Sequence, residues 1–129
     1  MLLSVIAITG LGGKKLSEKH AVETGKVLSF MNPEYIGILT LMIVEGTKLA
    51  EEYKKGNFEL VDEKGILEEL KYMVANLNVT NCIFRANHAS NYLPIGGTLP
   101  QDKEDIVDSI DKILKDSEFH LRPEWMRGL

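Results

Sequence analysis

The sequence predicts an α/β domain built on a short parallel sheet of βα units. Three observations carry that expectation. Residues 2–9, 35–44 and 79–84 are apolar runs rich in β-branched side chains, as in strands buried on both faces. Segments with apolar residues at helical spacing separate them. Strands alternating with helices join by right-handed crossovers, so successive strands run parallel.

The elements follow in order. The opening run Met1-Leu2-Leu3-Ser4-Val5-Ile6-Ala7-Ile8 lacks a basic n-region and reads as the first strand, not a leader. Gly10-Leu11-Gly12-Gly13 stops it. Ser17 is the expected N-cap of a helix in which Ala21, Thr24, Leu28 and Met31 repeat, and Asn32-Pro33 ends that helix. After the second strand, Thr47 is expected to cap a short helix that Gly56 terminates. Asp62 opens a longer helix whose Ile66, Leu67, Leu70, Met73, Val74 and Leu77 form one apolar stripe for the core. The third strand leads into Arg85-Ala86-Asn87-His88-Ala89-Ser90-Asn91-Tyr92-Leu93-Pro94-Ile95-Gly96-Gly97, read as a loop. A last helix begins near Gln101, with Ile106, Ile110, Ile113 and Leu114 inward, and the tail from His120 is irregular, with Trp125 anchoring it against the sheet.

Bulk properties narrow the function classes. The 129 residues suit a single domain, residues 1–129, with 44% hydrophobic and 26% charged residues. A net charge of −4 and no basic arm argue against nucleic acid. No apolar run reaches the ~18 residues of a membrane helix, and the chain reads as cytoplasmic. The single Cys82, inside an apolar strand, is a buried free thiol and excludes a multi-cysteine metal or cluster site made by one chain.

Parallel βα units place all strand C-termini on one edge, where ligands of α/β sheets bind. The loops at residues 9–15, 45–47 and 85–91 are expected to meet there. The glycine turn suits either a cradle for an anion or nucleoside or a tight strand-to-helix turn. It lacks the third glycine of the dinucleotide fingerprint, since Lys15 stands in that place. Lys14 and Lys15 could hold an anion but equally suit a solvated face. Arg85, Asn87, His88, Ser90 and Asn91 form a dense donor set facing a ligand, or a polar loop bonded to its own backbone. Ser90 and His88, two residues apart, are expected to point apart, which argues against a hydrolase triad. His20 is expected at the surface, and His120 carries little information. Asp102, Glu104, Asp105, Asp108 and Asp111 are expected on a helix exterior. No residue is assigned as catalytic, and no metal ligand is assigned.

Ile8-Thr9-Gly10-Leu11-Gly12-Gly13, Tyr35-Ile36-Gly37-Ile38-Leu39-Thr40-Leu41-Met42 with Gly46-Thr47, and Phe84-Arg85-Ala86-Asn87-His88-Ala89-Ser90-Asn91-Tyr92-Leu93-Pro94, closed by Leu121-Arg122-Pro123-Glu124 and Arg127-Gly128-Leu129, resemble the C-terminal half of radical S-adenosylmethionine Fe–S oxidoreductases. The resemblance covers essentially the whole chain. It implies a half of a TIM-type partial barrel, with Gly10, Gly12 and Gly13 along the nucleoside of S-adenosylmethionine and Arg85, Asn87, His88, Ser90 and Asn91 on the substrate side. Gly12, Gly13 and Lys14 replace the proline, glycine and glutamate frequent in that turn, and Glu45 replaces a proline before Gly46. The family's CxxxCxxC motif for its four-iron–four-sulfur cluster is missing. The resemblance therefore implies a chain inactive alone, with the cluster supplied by a cysteine-bearing N-terminal half. The alternative is a non-catalytic, self-associating α/β domain that binds a nucleoside or small anion.

Overall fold

A computed structural model describes residues 1–116 and 121–128. Its elements are β1 (Ser4–Thr9), α1 (Ser17–Met31), β2 (Tyr35–Thr40), α2 (Lys48–Lys54), α3 (Glu63–Ala75), β3 (Cys82–Ala86), β4 (Ile95–Leu99), α4 (Lys103–Lys115) and a 3-10 turn at Glu124–Met126. The sheet order is β1-β2-β3-β4. β1, β2 and β3 run parallel, and β4 returns antiparallel to β3. The expected α/β class is present, with the three expected strands parallel and an unexpected fourth strand antiparallel, and the expected apolar stripe of α3, Ile66 apart, lies in the core with Phe84, Ile36, Ile38 and Leu99. No helix among the described residues is long and apolar enough to cross a membrane.

Several caps form as sequence chemistry dictates. Thr47 accepts from the Ala50 N–H at 3.2 Å and Asp62 from the Gly65 N–H at 2.7 Å, each satisfying an orphan donor of a helix start. Asn32 turns left-handed before Pro33, with φ of 45°, and its Oδ1 accepts from the Thr80 N–H at 2.9 Å. Ser17 is not a cap. It is the first residue of α1, whose cap position is Leu16 without a side-chain bond, and its hydroxyl donates instead to Glu69 Oε1 at 3.0 Å.

The strands differ from expectation where tertiary pairing overrides local pattern. β2 ends at Thr40, not at Val44, because side chains of the loop after β3 take over the hydrogen bonds of Thr40. β3 begins at Cys82 and carries Arg85 and Ala86 inside the strand. β4 lies within the segment read as loop. Two glycines hide its strand character, yet Gly97 permits close approach: a Cβ there would stand 2.9 Å from Asp102 Cβ. Asp102 has a role in that fold, since its Oδ2 accepts from the Thr98 N–H at 2.8 Å. Asp111 likewise pairs with Lys71 at 2.9 Å.

α1, α3 and α4 pack side by side over one sheet face. On that face Ile36, Ile38, Phe84 and Ala86 are buried. Among the described residues no helix covers the opposite face, where Ile8, Leu39 and Ile83 are only half-buried. Ile6 there is 67% exposed and Tyr35 40%. Phe84 sits at the centre of the covered face with no exposed surface. Phe84→Ala is expected to cost about 3–5 kcal/mol of stability, read as a lower urea midpoint with unchanged slope.

Candidate functional site

The C-terminal ends of β1 and β2 and the loop that follows β3 do meet at one rim, as parallel topology requires. Thr9 and Thr40 stand side by side there, their hydroxyls 3.2 Å apart, with Thr9 Oγ1 also donating to the Leu39 carbonyl at 3.2 Å. The loop bolts onto this pair. Ser90 Oγ accepts from the Thr40 N–H at 3.0 Å, Asn91 Oδ1 accepts from Thr40 Oγ1 at 2.7 Å, and Asn91 Nδ2 donates to the Ile38 carbonyl at 2.8 Å. Ser90 and Asn91 are buried. They stitch a loop to a strand end, continuing with side chains the ladder that backbone can no longer make.

His88 and Ser90 do not point apart. Nδ1 of His88 lies 3.0 Å from Ser90 Oγ and accepts from the Ser90 N–H at 3.1 Å. With Nδ1 accepting from the Ser90 N–H, the hydrogen of the neutral ring belongs on Nε2, and the Ser90 hydroxyl shares the Nδ1 lone pair. The contact makes no nucleophile, since the hydroxyl is sealed from solvent. Arg85 and Asn87 are exposed and border a separate shallow hollow of about 520 Å³ with Gly96, Thr98 and Asp102. Arg85 Nη1 donates to the Phe84 carbonyl at 2.9 Å.

The glycine turn also divides. Gly10 and Gly13 have φ of 90° and 66°, and the Gly13 N–H donates to the Gly10 carbonyl at 3.0 Å. These angles require glycine for the turn itself. The Gly10 N–H points inward, to the Glu69 carboxylate, which also receives Ser17. Burial pushes the Glu69 carboxyl above its ordinary range, against the opposing pull of Gly10, Ser17 and His20. His20 is half-buried, not a surface residue, and its Nε2 bonds the Ile8 carbonyl at 2.9 Å. Gly12 and Gly13 line an open hollow of about 580 Å³ with Lys14, Lys15 and residues 56–59, apart from Gly10.

Gly10 instead borders a rim cavity of about 250 Å³, with residues 40–43, Leu60, Val61, Ile66, Tyr92, Glu124 and Arg127. Residues 45–47 do not line it. Tyr92, Glu124 and Arg127 were not singled out as a site from sequence; only their place in the conspicuous tail marked two of them. Arg127 ties the tail down. Its Nε donates to the Ser90 carbonyl at 2.7 Å, its Nη2 to the Leu41 carbonyl at 3.1 Å, and its Nη1 to Tyr92 Oη at 2.7 Å and Glu124 at 2.8 Å. The guanidinium also lies 4.0 Å from the Tyr92 ring centroid. Tyr92 Oη donates to Glu124, and burial with that carboxylate pushes the phenol up from its ordinary value. Trp125 is not the anchor: it is 82% exposed. His120 lies outside the described residues. The cavity thus offers an apolar wall, the chain at residues 41–43 and one polar end. Cys82 has no exposed surface, burial pushes its thiol up, and the described residues hold no cluster of three His, Cys, Asp or Glu able to bind a metal.

No protein-family model matches the chain, and no solved structure does. An uncharacterized protein of Methanocaldococcus jannaschii is 45% identical over 56 residues, a match covering 43% of this chain and 17% of that relative.

Two outcomes test the site's construction. Asn91→Ala removes the buried acceptor of the Thr40 hydroxyl proton and the donor to the Ile38 carbonyl, and is expected to cost about 1–3 kcal/mol in chemical denaturation. Glu69 has a folded pKa above its unfolded one, so the folded state binds its proton more tightly. Its contribution therefore falls as pH rises from about 4.5 through the folded value. The stability of Glu69→Gln minus that of wild type should increase across this window and then level off, as measured by urea unfolding at each pH.

Proposed function

We propose that this chain is the C-terminal half-barrel of a radical S-adenosylmethionine Fe–S oxidoreductase, completing a pocket for S-adenosylmethionine and substrate and inactive alone. One observation carries most weight: the ends of two parallel strands and the loop after a third enclose a single cavity containing Gly10, residues 40–43 and Tyr92. The sequential parallel order of β1, β2 and β3 with helices on one face also suits a segment of a barrel, from which the antiparallel β4 departs. Leu60, Val61 and Ile66 would face the base of the nucleoside, the backbone of residues 42–43 its edge, and Glu124 its hydroxyls. Arg85 and Asn87 would serve the substrate side, where a guanidinium suits a carboxylate or phosphate.

The described residues do not fit a four-iron–four-sulfur cluster. One buried cysteine inside a strand is not a ligand set. Cluster chemistry therefore belongs to a cysteine-bearing partner, and this chain's share is to bind and orient. A ligand-binding role without chemistry is the second reading, favoured because the described residues hold a cavity but no metal-binding cluster.

Calorimetric titration with S-adenosylmethionine tests both. Binding is expected, and Leu60→Trp, which fills the cavity mouth, is expected to weaken it by at least ~10-fold, about 1.4 kcal/mol, with thermal unfolding unchanged. Absence of binding with and without a cluster-bearing partner, or binding indifferent to Leu60→Trp, would overturn the pocket. Binding in a chain that no partner makes redox-active would favour the second reading.

A further inference from the structure

Two opposite charges stand in one hollow without pairing. The hollow of about 520 Å³ beside β4 is lined by Arg85, Asn87, residues 94–98 and Asp102. Backbone pins the guanidinium: Arg85 Nη1 donates to the Phe84 carbonyl at 2.9 Å and to the Gly97 carbonyl at 3.4 Å. Gly96 makes room for it, since a Cβ there would stand 3.1 Å from Arg85 Cδ and 3.2 Å from Nη1. Asp102 is pinned too, its Oδ2 accepting from the Thr98 N–H at 2.8 Å. Yet among the described residues neither side chain forms an ion pair. Arg85 Nε and Nη2 and Asp102 Oδ1 have no partner among those residues either.

The same hollow contains the open edge of β4. Thr98 turns both backbone groups away from β3: its N–H goes to Asp102 Oδ2, and its carbonyl accepts from the Asp102 N–H at 2.8 Å. Outward and inward residues alternate along an antiparallel strand, so Gly96 also faces out. Among the described residues its N–H and carbonyl have no partner. Thr98 is spent, and Pro94 has no N–H to give. A molecule docking on this edge therefore finds one residue, Gly96, with both groups free. A long strand gains little here; a single amino-acid residue gains all there is.

Charge selects the form of that residue. The Gly96 carbonyl and the Asp102 carboxylate accept, which suits an ammonium. The Gly96 N–H, Arg85 and Asn87 offer donors, which suits a carboxylate. A phosphate would meet the Asp102 charge as well as Arg85, and a simple amine would meet Arg85 as well as Asp102, so each is opposed by one of the two. A zwitterion answers both.

We propose that this hollow binds a free α-amino acid, its carboxylate held by Arg85 and the Gly96 N–H and its ammonium by Asp102 and the Gly96 carbonyl. The proposal gives a chemical class to the substrate side of the reading above, and rests on that reading only in calling the amino acid a substrate.

The test titrates the free L-α-amino acids one by one into isotope-labelled protein, followed by amide NMR, and repeats the tightest binder as its carboxamide and as its N-acetyl derivative. At least one amino acid is expected to bind and shift the Gly96 amide, with each blocked derivative at least ~10-fold weaker. Arg85→Gln and Asp102→Asn, the second keeping an acceptor for the Thr98 N–H, are each expected to weaken binding by at least ~10-fold with thermal unfolding unchanged. Four outcomes would overturn the proposal: no amino acid shifting Gly96, a blocked derivative binding as well as the free form, binding indifferent to either variant, or tighter binding of inorganic phosphate. Leu60→Trp is expected to leave amino-acid binding intact. Amino-acid binding by a protein that takes up no S-adenosylmethionine sinks the functional reading alone, and S-adenosylmethionine binding without amino-acid binding sinks this proposal alone.

Discussion

The arrangement depends on a buried polar knot at the strand ends. Thr9, Thr40, Ser90 and Asn91 come from β1, β2 and the loop beyond β3, and all are buried. Each hydroxyl or amide in such a place must find a partner or lose the hydration it left behind. Mutual satisfaction therefore leaves little freedom in how the three segments meet. Register between β1 and β2, the end of β2 at Thr40 and the inward course of the loop are consequences of that accounting. The loop is held to the end of β2 by its side chains, and residues 41–43, beyond the strand, line the rim cavity.

The second constraint is a carboxylate spent on structure. Glu69 is buried and aims at Gly10 and Ser17. It holds the glycine turn from inside the protein, so the amide of Gly10 serves the fold before it can serve any ligand. The same carboxylate explains why Ser17 abandons its capping role. A side chain can satisfy either the helix start or the interior, and the interior, where solvent cannot substitute, wins.

Periodicity made the three parallel strands, the caps of α2 and α3 and the core stripe of α3 legible, because those features depend on residues near in sequence. What stayed hidden depended on distant partners. β4 is masked by Gly96 and Gly97, and only pairing with β3 and approach of Asp102 reveals it. The polar residues after β3 were visible as a group, but density of donors does not say which way each points. Ser90 and Asn91 turn in, Arg85 and Asn87 turn out, and the cavity takes Tyr92, Glu124 and Arg127 in their place. Arg127 was illegible because its partners, from Leu41 to Ser90 and Tyr92, are dispersed along the chain.

The left-to-right strand order has a kinetic corollary. Each strand of the sheet lies beside the one made just before it, so no segment must wait for a late-arriving stretch to slot between two earlier ones. Pairing consecutive strands closes shorter loops than pairing the two ends of the chain would. The exception is the tail, whose Arg127 reaches back across 86 positions to Leu41. Assembly can thus march along the polypeptide as it emerges, with the guanidinium clasp added last over ground already laid.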